Sequence, residues 1–382
     1  MAVLHIMRKI NFPNSWLLSF ILLLVVSGNV FCALEIVEPA DGAIVYGHEN
    51  IRLLARWLDE NQPPVGADLR YLWSSDVDGP LAEGLRTSVT GLSYCTHKLA
   101  LEAVLGDSVL RIVETAITVI KRPEQFTLSE RSDWEGEFSP RGEQVAYTSF
   151  RSGDPEIWVA SVASRAASRI TYQGGLTPTW SPDEQRLAFW SDRAGGRDLW
   201  IVDLTEEQKT AVQLTFDSGS EWMPAFSPVN GGLIYVFKNG KRLSLKIINT
   251  DDPEAVAVEI LGPSEQPMFP RWFPDGQEII FTSYRDTLPA VCRLSLESGA
   301  VARVSSLGAE DADVSPNGQL VVMVRHGELW LHRLKDGYER PLTQDGAGAL
   351  SPRFSPDGRQ VIYASTRSGN YDLWLLDLPV EE

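Results

Sequence analysis

Between residues 134 and 378 the chain repeats one pattern six times: a short apolar stretch, a turn built on Ser-Pro-Asp-Gly or a variant, an alternating strand, and another strand. The clearest copies are TPTWSPDEQRLAFWSDRAGGRDLWIVDL from Thr177, LSPRFSPDGRQVIYASTRSGNYDLWLLDL from Leu350 and WEGEFSPRGEQVAYTSFRSGDPEIWVASV from Trp134. Weaker copies begin at Glu221, Phe269 and Glu310. The equivalent prolines are Pro140, Pro182, Pro228, Pro274, Pro316 and Pro356, a period of about 40 to 46 residues. That is the length of one four-stranded propeller blade, so the fold class is all-β and six blades are expected.

Local chemistry agrees with the period. A proline opening the inner strand spares the interior ladder, and a large aromatic such as Trp180 fills the wedge between blades. In Ser355-Pro356-Asp357-Gly358, proline presets one φ, Asp bonds its own backbone and Gly accepts positive φ. Alternating segments such as QVIYAS then read as the second strand, and DLWIVDL as the third. The fourth strand is expected at Arg169-Ile170-Thr171, Gln213-Leu214-Thr215, Val258-Glu259-Ile260, Arg303-Val304-Ser305 and Pro341-Leu342-Thr343. The sixth copy has no such segment after it, but Gln125-Phe126-Thr127-Leu128 precedes the first. Residues 125–128 are therefore expected to close the ring as the outer strand of the last blade, removing two free sheet edges and favouring a monomer.

The remainder divides in two. Residues 1–32 read as a signal peptide: Arg8 and Lys9, an apolar run from Trp16 to Val26, and a cleavage site at Val30-Phe31-Cys32. The run is short for a membrane span. Asn29 and Phe31 depart from a lipoprotein signal, so cleavage without lipid on Cys32 is expected, giving a periplasmic or extracellular protein with no membrane span after cleavage. Residues 33–121, rich in alternating Val, Ile, Leu and Thr broken by turns, read as a β-sandwich with Trp73 at its centre. Residues 122–382 form the propeller, reached through the short polar link Lys121-Arg122-Pro123-Glu124. Cys95 and Cys292 lie one in each part and make no disulfide framework. A formal charge of −17 argues against nucleic acid or anionic lipid as a partner.

Candidate binding residues are sought where the repeat breaks. The set Arg151, Gly153, Glu156, Trp158 recurs as Arg193, Gly195, Asp198, Trp200 and as Arg367, Gly369, Asp372, Trp374. A group repeated around a ring cannot converge on one substrate, so the Arg and its acid are read as bracing the loop between the second and third strands. Three positions before each turn proline, by contrast, stand Glu137, Thr179, Ala225, Arg271, Asp313 and Arg353, expected near the axis, where they pair across the channel or grip a polar ligand. On the loops leading into the inner strands lie Asp133, Trp134, Glu221, Trp222, Glu310 and Asp311, expected as a protein-binding rim of aromatic anchors beside acids. The residues expected to contact a partner are Trp134, Glu221, Trp222, Arg271, Glu310, Asp311, Asp313 and Arg353.

Enzyme readings find little support. The chain has no Gly-x-Ser-x-Gly nucleophile elbow for a propeller-gated peptidase. His326 and His332 lie in one repeat without metal spacing, and His48 and His97 belong to the sandwich. The acidic stretch Glu310-Asp311-Ala312-Asp313 does not follow the twelve-residue calcium loop. No catalytic, metal or cofactor residues are therefore assigned.

Two resemblances add to this reading. The strings ALEIVEPADGAIVYGHENIRLLARWLDE, LRYLWSSDVDGPLAEG and TSVTGLSYCTHKLALEAV resemble bacterial immunoglobulin-like modules of exported proteins, although Tyr94-Cys95 replaces the small residue and Gly usual there. SPDGRQVIYASTRSGNYDLWLLDL resembles the repeat of TolB-type six-bladed propellers over residues 125–382. That resemblance implies an exported, non-enzymatic protein that binds a partner across one mouth of its channel. The family's namesake binds a peptidoglycan-associated lipoprotein. The namesake's accessory domain is of α/β type, whereas this one reads as a sandwich, so partner identity does not carry over. A protein or other envelope component is the expected partner, with a polysaccharide or small ligand as the alternative and a hydrolase or lyase behind both.

Overall fold

The computed structural model describes residues 33–47, 49–58 and 69–378. The expected signal segment with Cys32 lies outside them, as does His48. Every regular element among the described residues is a strand, and no helix there is long and apolar enough to cross a membrane.

The N-terminal strands form two sheets. One holds Leu34–Glu38, Ile51–Trp57 and Arg86–Val89; the other runs Ala43–Tyr46, Ser108–Ile120, Thr96–Leu105, Leu69–Ser75, Gly79–Glu83. Alternation in IRLLARW turns Ile51, Leu53 and Ala55 inward, where they meet Trp73, Leu99, Leu101, Ile117 and Val119. Trp73 is central as expected, and its buried indole N–H donates to the Gly84 carbonyl at 2.9 Å. Cys95 and Cys292 are both free thiols.

The repeats build six four-stranded sheets. Blade one comprises Asp133–Phe138, Gln144–Ser149, Glu156–Ser161 and Ala167–Arg169, from the axis outward. Blades two to six begin with Leu176–Trp180, Ser220–Phe226, Pro267–Trp272, Ala309–Val314 and Ala349–Phe354. Apolar clusters bridge successive blades, and the last meets the first: Phe138, Val145 and Tyr147 pack with Ile362, Ala364 and Leu373. Gly136 sits at this seam because a Cβ there would stand 2.9 Å from the Leu373 side chain.

The ring is closed by the N-terminal tail. Glu124–Gln125 pairs with Asp372–Asp377 as the outer strand of blade six, and the backbone N–H groups of Phe126 and Thr127 then donate to the Leu373 carbonyl. The ladder thus begins one residue earlier than the expected 125–128 and ends three residues earlier, at Gln125. Elsewhere too the Ile-Thr or Leu-Thr pair leaves the ladder, and its hydroxyl does the work. Oγ of Thr171, Thr215, Ser305 and Thr343 accepts the third-strand N–H of Ile157, Leu199, Val291 and Leu329 at 2.9–3.1 Å. Thr127 repeats this for Leu373 at 3.0 Å, although it is 246 residues away in sequence.

The link is pinned from both sides. Lys121 Nζ meets Asp377 at 2.7 Å, Arg122 meets Glu49 at 2.7 Å, and Arg165 meets Glu124 at 2.6 Å. Ile120, Ile44 and Tyr46 join the apolar cluster of blades five and six. The sandwich therefore rests on the propeller through a packed contact as well as a tether.

Candidate functional site

Each inner strand carries the same local departure from regular pairing. Its register shifts by a bulge, and at that point a residue other than glycine adopts positive φ: Glu135, Thr177, Met223, Phe269, Asp311 and Ser351, with φ from 45° to 56°. Of these only Asp311 is of a type that visits that region readily; Glu, Thr, Met and Phe all pay for it. The bulge sharpens the strand's bend at the axis. It also separates two levels of side chains in the channel, the bulge residues and the residues two places later.

The later level is the set foreseen from the sequence. Glu137, Thr179, Ala225, Arg271, Asp313 and Arg353 all line one cavity of about 350 Å³. Around it stand Phe138, Trp180, Phe226, Trp272, Val314 and Phe354, one position further on, and then the six turn prolines. The cavity therefore opens at the mouth bearing the Ser-Pro turns. Sequence reasoning had read the aromatics as wedge fillers, which they are. Trp180 and Trp272 each donate their indole N–H to a carbonyl of the preceding blade, Glu137 and Ala225, at 3.2 and 3.0 Å. Their second role as the cavity's collar was missed, though an aromatic just before Ser-Pro or Phe-Pro in five of the six repeats was there to be read.

Three side chains of the inner level are latches between blades. Glu137 accepts from the Trp180 N–H at 3.0 Å, Thr179 from the Phe226 N–H at 3.2 Å, and Asp313 from the Phe354 N–H at 2.8 Å. Among the bulge residues, Glu135 accepts from the Thr177 N–H at 2.9 Å and Asp311 from the Ser351 N–H at 3.0 Å. Asp311 also holds Arg353 at 3.1 Å, both side chains being buried. Burial raises the carboxyls of Glu135, Glu137 and Asp313 above their ordinary values; Arg271 and Arg353 oppose this for the latter two. Burial also works against the charge of Arg353, but Asp311, Asp313 and Glu137 together raise it.

Arg271 stands apart. Its guanidinium lines the cavity and is 7% exposed; it donates to the Pro270 carbonyl at 2.9 Å, and its Nε has no partner among the described residues. Burial, with Arg353 adding to it, pushes it down to about 10, so it remains a cation at neutral pH. A buried cation with an unused donor at the floor of an aromatic-walled cavity is suited to an incoming oxygen acceptor.

The rim expected on the opposite mouth is corrected by the structure. Asp133 and Glu221 are fully buried, Asp133 against Arg151 at 3.1 Å and Glu221 against Thr215 at 3.2 Å. Trp134 is stacked on Tyr371 and tilted against Phe150. Glu310 is engaged by the Tyr284 hydroxyl, and Asp311 by Arg353 and Ser351. Trp134 and Glu310 stay half-buried, and Trp222, 9% exposed, lines a separate pocket. Acids and tryptophans beside inner strands are thus absorbed by the seams between blades. Of the residues expected to contact a partner, Arg271, Asp313 and Arg353 meet at the cavity; Trp134, Glu221, Trp222, Glu310 and Asp311 do not line it.

The recurrent Arg motif braces loops, but not through its own acid. Arg151, Arg193 and Arg367 lie over the rings of Trp158, Trp200 and Trp374, 4.6, 4.7 and 5.5 Å from their centroids. Glu156 instead bonds Arg169 and Thr171, and Asp372 bonds Gln125 and Ser368. Among the described residues no group of three or more His, Cys, Asp or Glu is arranged to hold a metal ion.

Comparison with known proteins gives concordant matches. The family model described as TolB beta propeller domain matches residues 120–267 and 176–379. A TolB homolog of Chlorobium luteolum is 29% identical over 116 residues, covering 28% of this chain and 26% of that protein. The chain thus spans about a quarter of that relative's length. A putative TolB from Agrobacterium tumefaciens superposes with a TM-score of 0.53 at 17% identity, over 67% of this chain and 93% of that one. An oligogalacturonate lyase in complex with manganese superposes with a TM-score of 0.52 at 15% identity, over 67% and 92%. At such identities the superpositions speak for the fold alone.

Proposed function

Because the chain belongs to the TolB beta-propeller family, we propose that it is an exported, non-enzymatic binding protein that docks a protein or other envelope component at one mouth of its channel. The reading rests chiefly on the cavity at the Ser-Pro mouth: an aromatic and proline collar above a floor whose one uncommitted charge is Arg271. Most of the acids near the axis are engaged in blade-to-blade hydrogen bonds, which favours recognition over proton transfer. A partner segment inserted there would place an acceptor against Arg271 and apolar groups against the collar. The docking mouth is thus the one opposite the rim expected from sequence. A closed ring that leaves only the short outer strand of each blade as an edge is consistent with a monomeric receptor.

The test is capture from an envelope fraction. Arg271→Met, which removes the charge and keeps the length, and Pro316→Asp on the collar are each expected to lower recovery of the partner at least about fivefold. Val256→Lys, an exposed position remote from the collar, is the control. Melting curves separate lost binding from lost folding. Unchanged capture by both folded cavity variants would remove the channel mouth from consideration, and capture competed by a neutral oligosaccharide would shift the reading to a polysaccharide binder.

A further inference from the structure

The repeat fails most completely in blade three, and a pocket opens at that place. In blades one, two, four and six a six-residue segment joins the second and third strands, at 150–155, 192–197, 284–289 and 366–371. In blade three Gly232–Asn239 and Arg242–Asn249 extend to eight residues each and are joined by Gly240-Lys241 alone. The hairpin at 232–249 is as long as its counterpart at 144–161 but is paired to its tip, and it borders a cavity of about 350 Å³ on the face opposite the channel collar. Its walls are Arg197 from blade two, Ser218-Gly219-Ser220 leading into the inner strand, Trp222, and Lys238-Asn239-Gly240 at the hairpin tip. Gly219 is required for the shape, since a Cβ there would lie 2.4 Å from the Phe237 ring.

The electrostatics of this pocket run against those of the molecule. The chain carries a net −17, yet Arg197 and Lys238 face the same space, and Lys241 and Arg242 follow on the hairpin. Arg197 and Lys238 have no ion-pair partner among the described residues. Both are nevertheless ordered by aromatic rings. Arg197 lies between Trp190 and Trp222, 5.1 and 5.6 Å from their centroids, and Lys238 lies 6.0 Å from Trp222. Trp190 is itself fixed by an indole N–H bond to Thr177 Oγ1 at 3.1 Å. Two exposed cations held on shared indoles, with no carboxylate between them, form a preorganised anion clamp.

The other lining groups suggest the body of the ligand. Hydroxyls of Ser218 and Ser220, the Asn239 amide and backbone edges of Gly219 and Gly240 offer donors and acceptors, with Trp222 as the one apolar wall. An apolar peptide side chain would gain little there, whereas a hydroxylated ring would find many partners. We propose that this pocket binds an acidic saccharide, a sugar whose carboxylate lies between Arg197 and Lys238 while its hydroxyls meet the serine and Asn239 edge. The site is separate from the channel mouth and does not depend on its reading.

Calorimetry of the whole protein with a uronic-acid disaccharide, its neutral counterpart and inorganic phosphate tests this. The uronic disaccharide is expected to bind, the neutral one at least about tenfold more weakly, and Arg197→Ser or Lys238→Ser to cost about tenfold each. Raising the salt to about 0.5 M should weaken binding by a similar factor. Both substitutions are at exposed tips, so melting should not move, and Arg271→Met should leave saccharide binding intact. Absence of millimolar binding, equal affinity for the neutral sugar, affinity unchanged in both variants, or phosphate binding as tightly as the disaccharide would each overturn the proposal.

Discussion

Blade six is assembled from the two ends of the propeller sequence, and blade three from one uninterrupted stretch, yet blade six is the regular one. It has the Arg-on-Trp stack of Arg367 and Trp374, the closing hydroxyl of Thr127, and three inner strands of six residues each. Blade three has none of these. Lys246 pairs with Tyr235 where Trp200 pairs with Phe189, and it reaches Asp217 at 2.6 Å instead of supporting an arginine. Its outer strand, Val258–Leu261, shifts register so that Leu245 faces Leu261, where other blades place a hydroxyl. Regularity is thus carried by a few side-chain latches and not by chain continuity. Space for ligands appears where the latches lapse.

The sharpest way to break this comparison is to remove the latch that makes blade six whole. Phe126, 4% exposed, packs with Phe138, Leu373 and Leu375, and Arg165 lies over its ring. Phe126→Ala is expected to cost about 3–5 kcal/mol of stability in urea unfolding, since it leaves a cavity at the ring's only non-contiguous seam. Thr127→Val should cost about 1–3 kcal/mol by leaving the Leu373 N–H without its acceptor. If both losses were below about 1 kcal/mol, the N-terminal strand would be an ornament on a ring closed by other means.

This closure is also where the sequence was most informative. A missing Leu-Thr segment at one end and a spare one at the other were visible in the letters, because turn prolines and hydroxyl latches are local signals at a fixed spacing. The axial ring of Glu137, Thr179, Ala225, Arg271, Asp313 and Arg353 was likewise legible from its offset to the prolines. Less could be read where the outcome depends on neighbouring blades. Positive φ at Glu135, Thr177, Met223 and Phe269 contradicts their own preferences and is imposed by the bend at the axis. Trp134 and Glu221 looked like a rim because polarity and aromaticity in a loop suggest exposure; neighbouring segments, invisible in a single repeat, bury Glu221 and stack Tyr371 on Trp134.

A second prediction sharpens the contrast through pH. Glu221 belongs to blade three; its carboxyl is pushed from an ordinary 4.5 up to about 7, first by burial and then by Asp198 and Asp217, against the hydrogen bond from Thr215. One of its oxygens has no partner. The folded state therefore holds this proton more tightly than the unfolded chain does. The associated stability is present below pH 4.5 and is lost as pH rises through about 7. Glu221→Gln keeps the shape and abolishes the titration. Its melting temperature relative to the native protein should rise from pH 5 to pH 8. A constant difference across that range would mean the carboxyl titrates normally.

The smallest expected effect asks whether a lapsed latch can be restored. Ala225 occupies in blade three the position from which Thr179 accepts the Phe226 N–H of the following blade and donates to Glu137 of the preceding one. Its own counterpart across the next seam is the N–H of Trp272, two places beyond the proline that starts this stretch of Pro270-Arg271-Trp272. Ala225→Thr places a hydroxyl toward that N–H at a site where a β-branched residue suits the strand. A gain of about 0.5–1.5 kcal/mol follows if the hydroxyl makes the bond. The same hydroxyl would narrow the cavity floor beside Arg271, so partner capture should fall as stability rises. Stability gained with capture unchanged would detach the latches from the docking mouth. A loss of stability would show that blade three keeps alanine for packing, and that its irregularity is enforced by volume and not by a missing hydrogen bond.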